Sequence, residues 1–263
     1  MLRKLLKHEF FASGRSILPM YIFVLLLGVV TRFAVNGADK YRVSSLFQVF
    51  VGLIVLLFTC SIFAVIVILI VNVVNRFKKN LMSDEGYLML TLPTSSHKML
   101  WSKLIVAWVW MIVTMLVILL ACVILVADQK FLSEAWYEIK MNFSILATYY
   151  GLNIPLLIGQ IISLSFLMYT CSCLMLYACI SVSNSFTKFK SFIGLGVFIA
   201  FYVIMSLVNH FISRNGGYIY LEPENAVNMI NMFFLKYSLY SVGFGAAYYM
   251  LTTCMLKYRI NLE

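Results

Sequence analysis

LFQVFVGLIVLLFTCSIFAVIVILIVNVV, residues 46–74, contains no Asp, Glu, Lys or Arg. A helix needs roughly twenty apolar residues, at about 1.5 Å each, to cross a hydrocarbon core of about 30 Å. The run exceeds that minimum, so it is expected to tilt or to extend beyond the lipid. With no water to satisfy bare peptide groups in a bilayer, a helix is the form it should take.

Working outward, five further apolar runs reach spanning length: 16–35, 101–127, 149–182, 192–212 and 237–256. Their interiors lack charged residues. Arg32 and Lys103 fall near run ends, where long basic side chains are expected to snorkel towards headgroups. Composition agrees, since 63% of the 263 residues are hydrophobic and only 11% charged. A soluble domain of this length needs more polar surface than that to cover its core. The expected fold is an all-α integral membrane protein with about six transmembrane helices.

The net charge of +10 does not point to nucleic acid, because the basic residues sit in short gaps between apolar runs rather than on one soluble face. They report orientation instead. Counting Lys103 and Arg32 with the gaps they adjoin, the N-terminus, the second and fourth gaps and the C-terminus carry thirteen Lys/Arg and four Asp/Glu, against seven and six on the other side. The positive-inside bias then puts both termini in the cytoplasm.

Three gap regions look structured. Residues 1–15, MLRKLLKHEFFASGR, set Leu2, Leu5, Leu6 and Phe10 at helical spacing opposite Arg3, Lys4, Lys7 and His8. That pattern suits an interfacial helix better than a signal peptide, which would need a shorter apolar core and a clear cleavage site. Residues 128–142 place Phe131, Leu132, Ala135, Trp136 and Ile139 on one stripe, as an outer interfacial helix would. The gap before the sixth run carries Gly216-Gly217 and Glu222-Pro223-Glu224 ahead of an apolar stretch, 225–234, able to dip into the membrane edge.

Residues 76–100 form the most informative gap. Arg76, Lys78 and Lys79 would anchor the end of the second span at anionic headgroups. Ser83 can cap a short helix whose first turn holds Asp84 and Glu85, where the dipole favours negative charge. Pro93 interrupts any helix, and Thr94, Ser95 or Ser96 can cap the third span, with Lys98 and Lys103 snorkelling. The product is a compact cytoplasmic element with acidic and aromatic groups, suited to docking a partner; the alternative is a solvated turn with an ordinary helix cap.

The segments LLKHEFFASGRSILPMY and DEGYLMLTLPTSSHKMLWSKLIVA, together with the six-span layout, resemble permease subunits of type-2 ABC exporters, particularly those of low-GC Gram-positive (Firmicutes-like) bacteria. The resemblance implies that residues 76–100 form a coupling helix seated on a separate ATPase chain, with Asp84, Glu85, Gly86 and Tyr87 at or near that contact. It also implies a second permease, identical or homologous, and two ATPase copies that bind ATP and Mg. The bacterial cytoplasmic membrane is the implied location.

The residues themselves constrain the energy source. No glycine is followed by lysine, so a GxxxxGK[ST] phosphate loop is ruled out and no cofactor is expected in this chain. Ion-coupled transport usually needs ionisable groups inside the membrane, and the run interiors have none. Work would have to come from another subunit. Two alternatives stay open: a passive channel-like oligomer using polar or backbone groups, and a membrane sensor or scaffold subunit of an ATPase complex.

Remaining candidates divide between pathway and packing. Tyr149, Asn153, Gln160 and Ser163 step along the fourth run as a polar stripe, either lining a path or bonding between helices, with Pro155 weakening the local ladder. Gly196-x-x-x-Ala200 and Gly243-x-x-x-Ala247 read as close-packing faces. The six cysteines lie in apolar stretches as small fillers, and His8, His97 and His210 are too dispersed for a metal site.

Overall fold

In a computed structural model, residues 2–40, 45–82, 96–126, 129–186, 188–214 and 225–258 are described, and every regular element among them is helical. In order these are α1 (Leu2–Lys40), α2 (Ser45–Met82), α3 (Ser96–Val126), α4 (Gln129–Thr148), α5 (Ile154–Ser183), α6 (Lys190–Arg214) and α7 (Ala226–Tyr258). Five contain stretches long and apolar enough to cross a membrane: Leu6–Ala38, Ser45–Lys79, His97–Val126, Ile154–Ser183 and Lys190–Arg214. The protein is thus an all-α, multi-pass membrane protein. The sixth run lies in α7, which has the length of a span but falls outside those five. Tyr237, Tyr240, Tyr248 and Tyr249, with Ser238, Ser241, Thr252 and Thr253, dilute its apolar character.

Residues 1–15 do not form a helix apart from the first span. α1 continues through Gly14 and Arg15 without a break, over 39 residues or about 58 Å, and has Pro19 in its interior. Apolar and basic residues here are good helix formers at compatible spacing, and Gly14, the weak helix former at the junction, costs only about 1 kcal/mol relative to alanine. α4 covers the segment with the Trp136 stripe and continues to Thr148.

The chain divides into two compact units, Met1–Arg76 with Lys98–Trp136, and Phe77–His97 with Tyr137–Glu263. In the first, Ile17, Tyr21 and Val24 of α1 form one stripe by helical periodicity. They pack with Phe58, Val65 and Leu69 of α2 and Val106, Trp110 and Ala121 of α3. Two glycines permit this approach: a Cβ at Gly14 would lie 3.3 Å from the Trp110 ring, and one at Gly28 would lie 3.3 Å from Phe58 and 3.5 Å from the Ala121 carbonyl. Phe10 stacks on Trp110 with centroids 4.9 Å apart. The Tyr21 hydroxyl lies 2.6 Å from Thr114 Oγ1.

In the second unit α5 packs along α7 and α6. Its C-terminal half is largely buried, enclosing Cys171, Cys173, Leu174, Tyr177, Ala178 and Cys179 among others, while Ser172 stays exposed. Close approach falls at Gly194, where a Cβ would lie 3.3 Å from Ser183, while Gly245 makes an ordinary contact with Leu174 at 3.8 Å. Gly196 and Gly243 have no neighbour within 4 Å of a Cβ in this chain, so its own helices do not use them as close-packing faces. A small residue lets a neighbour approach, but the helix rotation decides whether a neighbour is there. α6 has no buried residue at all. Cys60, Cys122 and Cys254 are exposed, and all six cysteines are free thiols.

Candidate functional site

The candidate coupling residues Asp84, Glu85, Gly86 and Tyr87 lie outside the described residues. What the structure does describe is the frame on either side of them. On the first unit, Lys103 of α3 donates from Nζ to Glu9 Oε1 of α1 at 2.8 Å and to the Arg76 carbonyl of α2 at 3.1 Å. Both side chains of the ion pair are only 5% exposed. The expectation that Lys103 snorkels is therefore corrected. Lipid makes an isolated ammonium costly, and a carboxylate from another helix answers that cost more completely than a reach towards headgroups. Three helices meet at this one ammonium: the start of α1, the end of α2 and the start of α3. Among the described residues, Glu9 and Lys103 are the buried charged side chains.

Within the second unit, the flanks of the same segment are held by aromatic contacts. Phe77 is fully enclosed and stacks on Tyr177 of α5, centroids 4.3 Å apart and planes at 14°. His97 Nδ1 lies 2.6 Å from the Tyr249 hydroxyl of α7, and the two rings stack at 5.7 Å. Neither partner was visible from sequence spacing, because Tyr177 and Tyr249 sit in runs that read as undifferentiated spans.

The polar stripe is not one stripe. The chain breaks between α4 and α5, where Gly151 takes a φ of +65° that favours glycine. Tyr149 lies in that break, exposed, with its ring edge-on to Tyr150. Asn153 is the N-cap of α5, accepting from the Leu156 amide, and Pro155 occupies the first turn. There proline loses no intrahelical hydrogen bond, so the expected weakening of the ladder does not arise. Gln160 Nε2 donates to Asn231 Oδ1 of α7 at 2.9 Å, while Ser163 bonds back to the Gln160 carbonyl. Of the four residues only Gln160 makes a hydrogen bond between helices among those described. Its Oε1 is buried without a partner, as are Trp110 Nε1 and Ser181 Oγ.

Among the described residues, no three of His, Cys, Asp or Glu gather as metal ligands. Comparison with known protein families, curated proteins and solved structures finds no match for this chain.

Proposed function

We propose that this chain is the membrane-spanning subunit of an ATP-driven exporter of the ABC type-2 class, supplying the translocation pathway and receiving work from a separate ATPase chain. Two ATPase copies bind ATP and Mg, and a second permease, identical or homologous, completes the pathway in the bacterial cytoplasmic membrane, with both termini on the cytoplasmic side. The observation that carries the proposal is the convergence on Lys103. The acidic, aromatic segment that resembles a coupling helix has its flanking helices tied to each other and to α1 through Glu9 and the Arg76 carbonyl. A docking element delivers force only if its base is braced, and a buried ion pair braces it directly. The enclosed charges sit at that base rather than midway along a span, which favours an external energy source over ion coupling.

Purification in mild detergent should recover an ATPase chain, and the complex should hydrolyse ATP faster than that chain alone. Replacing Glu85 and Tyr87 by alanine should abolish this stimulation while membrane insertion is unchanged. Unchanged stimulation would remove the coupling assignment. A self-assembled pore with ATP-independent flux would replace the exporter by a channel, and an active complex without vectorial transport would make the chain a sensor or scaffold.

A further inference from the structure

α7 turns two different faces to its neighbours. Towards α5 it presents small side chains: Ser241 bonds the Met168 sulfur at 3.1 Å, and Gly245 lies against Leu174. Towards α6 it presents a row of rings. Phe233, Tyr237, Tyr240, Phe244 and Tyr248 recur at three- and four-residue steps, the spacing of one helix face. Successive centroids lie 4.5, 6.5, 4.8 and 5.9 Å apart. The rings hold one another, so the row keeps its shape without α6.

α6 meets this row through side chains that reach across to it. The Tyr240 hydroxyl donates to the Met205 carbonyl at 2.9 Å, and the Tyr237 hydroxyl donates to Asn209 Oδ1 at 3.2 Å. Phe201 lies 5.0 Å from the Tyr248 ring. Enclosure falls off along the pair: Tyr248 is 5% exposed, Tyr240 and Phe244 are half-buried, and Asn209 is exposed. α6 itself has no buried residue, so little apolar packing opposes its departure where the enclosure is least.

The other end of α6 is held. α5 ends at Ser183 and α6 begins at Lys190, so the join is short. The Ile193 amide bonds back to the Phe189 carbonyl at 3.1 Å, and a Cβ at Gly194 would sit 3.3 Å from Ser183. Two residues on, Gly196 weakens the helix where no atom lies within 4 Å of a Cβ to resist bending.

We propose that α6 is a lateral gate: it pivots at Gly194–Gly196, and the hydroxyls of Tyr237 and Tyr240 latch its C-terminal end against α7. Releasing both opens a cleft between α6 and α7 towards the lipid, walled by the row of rings. Hydrogen bonds between membrane helices are individually weak, so the latch is reversible. The gate is a property of this chain alone, whatever supplies the energy for transport.

Spin labels on the purified full chain measure the swing. The exposed thiols Cys60, Cys122 and Cys254 are first replaced by serine. Phe211→Cys with Leu235→Cys reports the latched end, and Phe192→Cys with Met250→Cys reports the pivot end; all four side chains are exposed, so the labels displace no packing. The latched-end pair should show a short and a long distance. Tyr237→Phe with Tyr240→Phe should raise the ratio of long to short about sevenfold, as two bonds of average membrane strength imply. The pivot pair should keep one distance throughout. If the double variant does not purify, Tyr237→Phe alone should raise the ratio about threefold. A latched-end distribution unmoved by loss of the hydroxyls would overturn the gate. Equal lengthening of both pairs would overturn the pivot, since α6 would then leave as a whole.

Discussion

Lys103→Met leaves Glu9 enclosed without its lysine and withdraws a donor from the Arg76 carbonyl, with little change in side-chain volume. Both side chains are almost wholly shielded and the pair is 2.8 Å apart. Removing one member of a buried pair typically costs about 3–5 kcal/mol, chiefly because the surviving charge keeps its desolvation penalty. Glu9→Gln should cost a similar amount, since the ammonium then faces a neutral amide. The double replacement removes both charges, and buried pairs exchanged for neutral groups are often close to neutral in stability. The two single losses should therefore fail to add, with a coupling of at least about 2 kcal/mol in a double-mutant cycle. Denaturant unfolding of the purified chain in mild detergent, followed by circular dichroism, measures each corner of the cycle. Single variants within about 0.5 kcal/mol of the natural chain, or an additive double variant, would show that the pair is solvated and does not brace the helices.

Gly28→Leu should destabilise by about 1–3 kcal/mol through overpacking against Phe58 and the Ala121 carbonyl, whereas Gly196→Leu, facing open space, should stay within about 0.5 kcal/mol. The same unfolding titration compares them. Tyr21→Phe deletes the bond to Thr114 and should lose about 0.6 kcal/mol, the average for such bonds in a membrane. A loss above about 2 kcal/mol would mean that the hydroxyl organises more than this one contact. Gln160→Leu should give a comparably small loss through Asn231, while Tyr149→Phe should change stability by less than about 0.5 kcal/mol.

Helical class and membrane character were legible because the signal is redundant: a run such as 46–74 leaves the chain one way to satisfy its backbone in lipid. The break inside the fourth run was also written there, as Gly151, Asn153 and Pro155, a left-handed turn followed by a cap and a first-turn proline. Continuous hydropathy concealed it. Other features had no local signal. The partner of Lys103 lies 94 residues away in a segment that reads as a surface helix, and no periodicity within either segment joins them. Gly196 and Gly243 show the converse, since a small-residue motif records what a helix permits and carries no information about what faces it. For the same reason the stacking of Phe77 on Tyr177 could not be separated from the many other aromatic pairs available to the chain.

Pro19 lies between Glu9, where α1 is held to α3 by charge, and Tyr21, where the same two helices meet through hydroxyls. A proline nitrogen bears no hydrogen, so the carbonyl one turn earlier, that of Arg15, is missing its usual rung. A rod clasped on either side of a weakened turn bends most easily at that turn. α1 therefore has its point of least bending resistance set by one imino acid, a hinge pin fixed a single helical turn above Arg15.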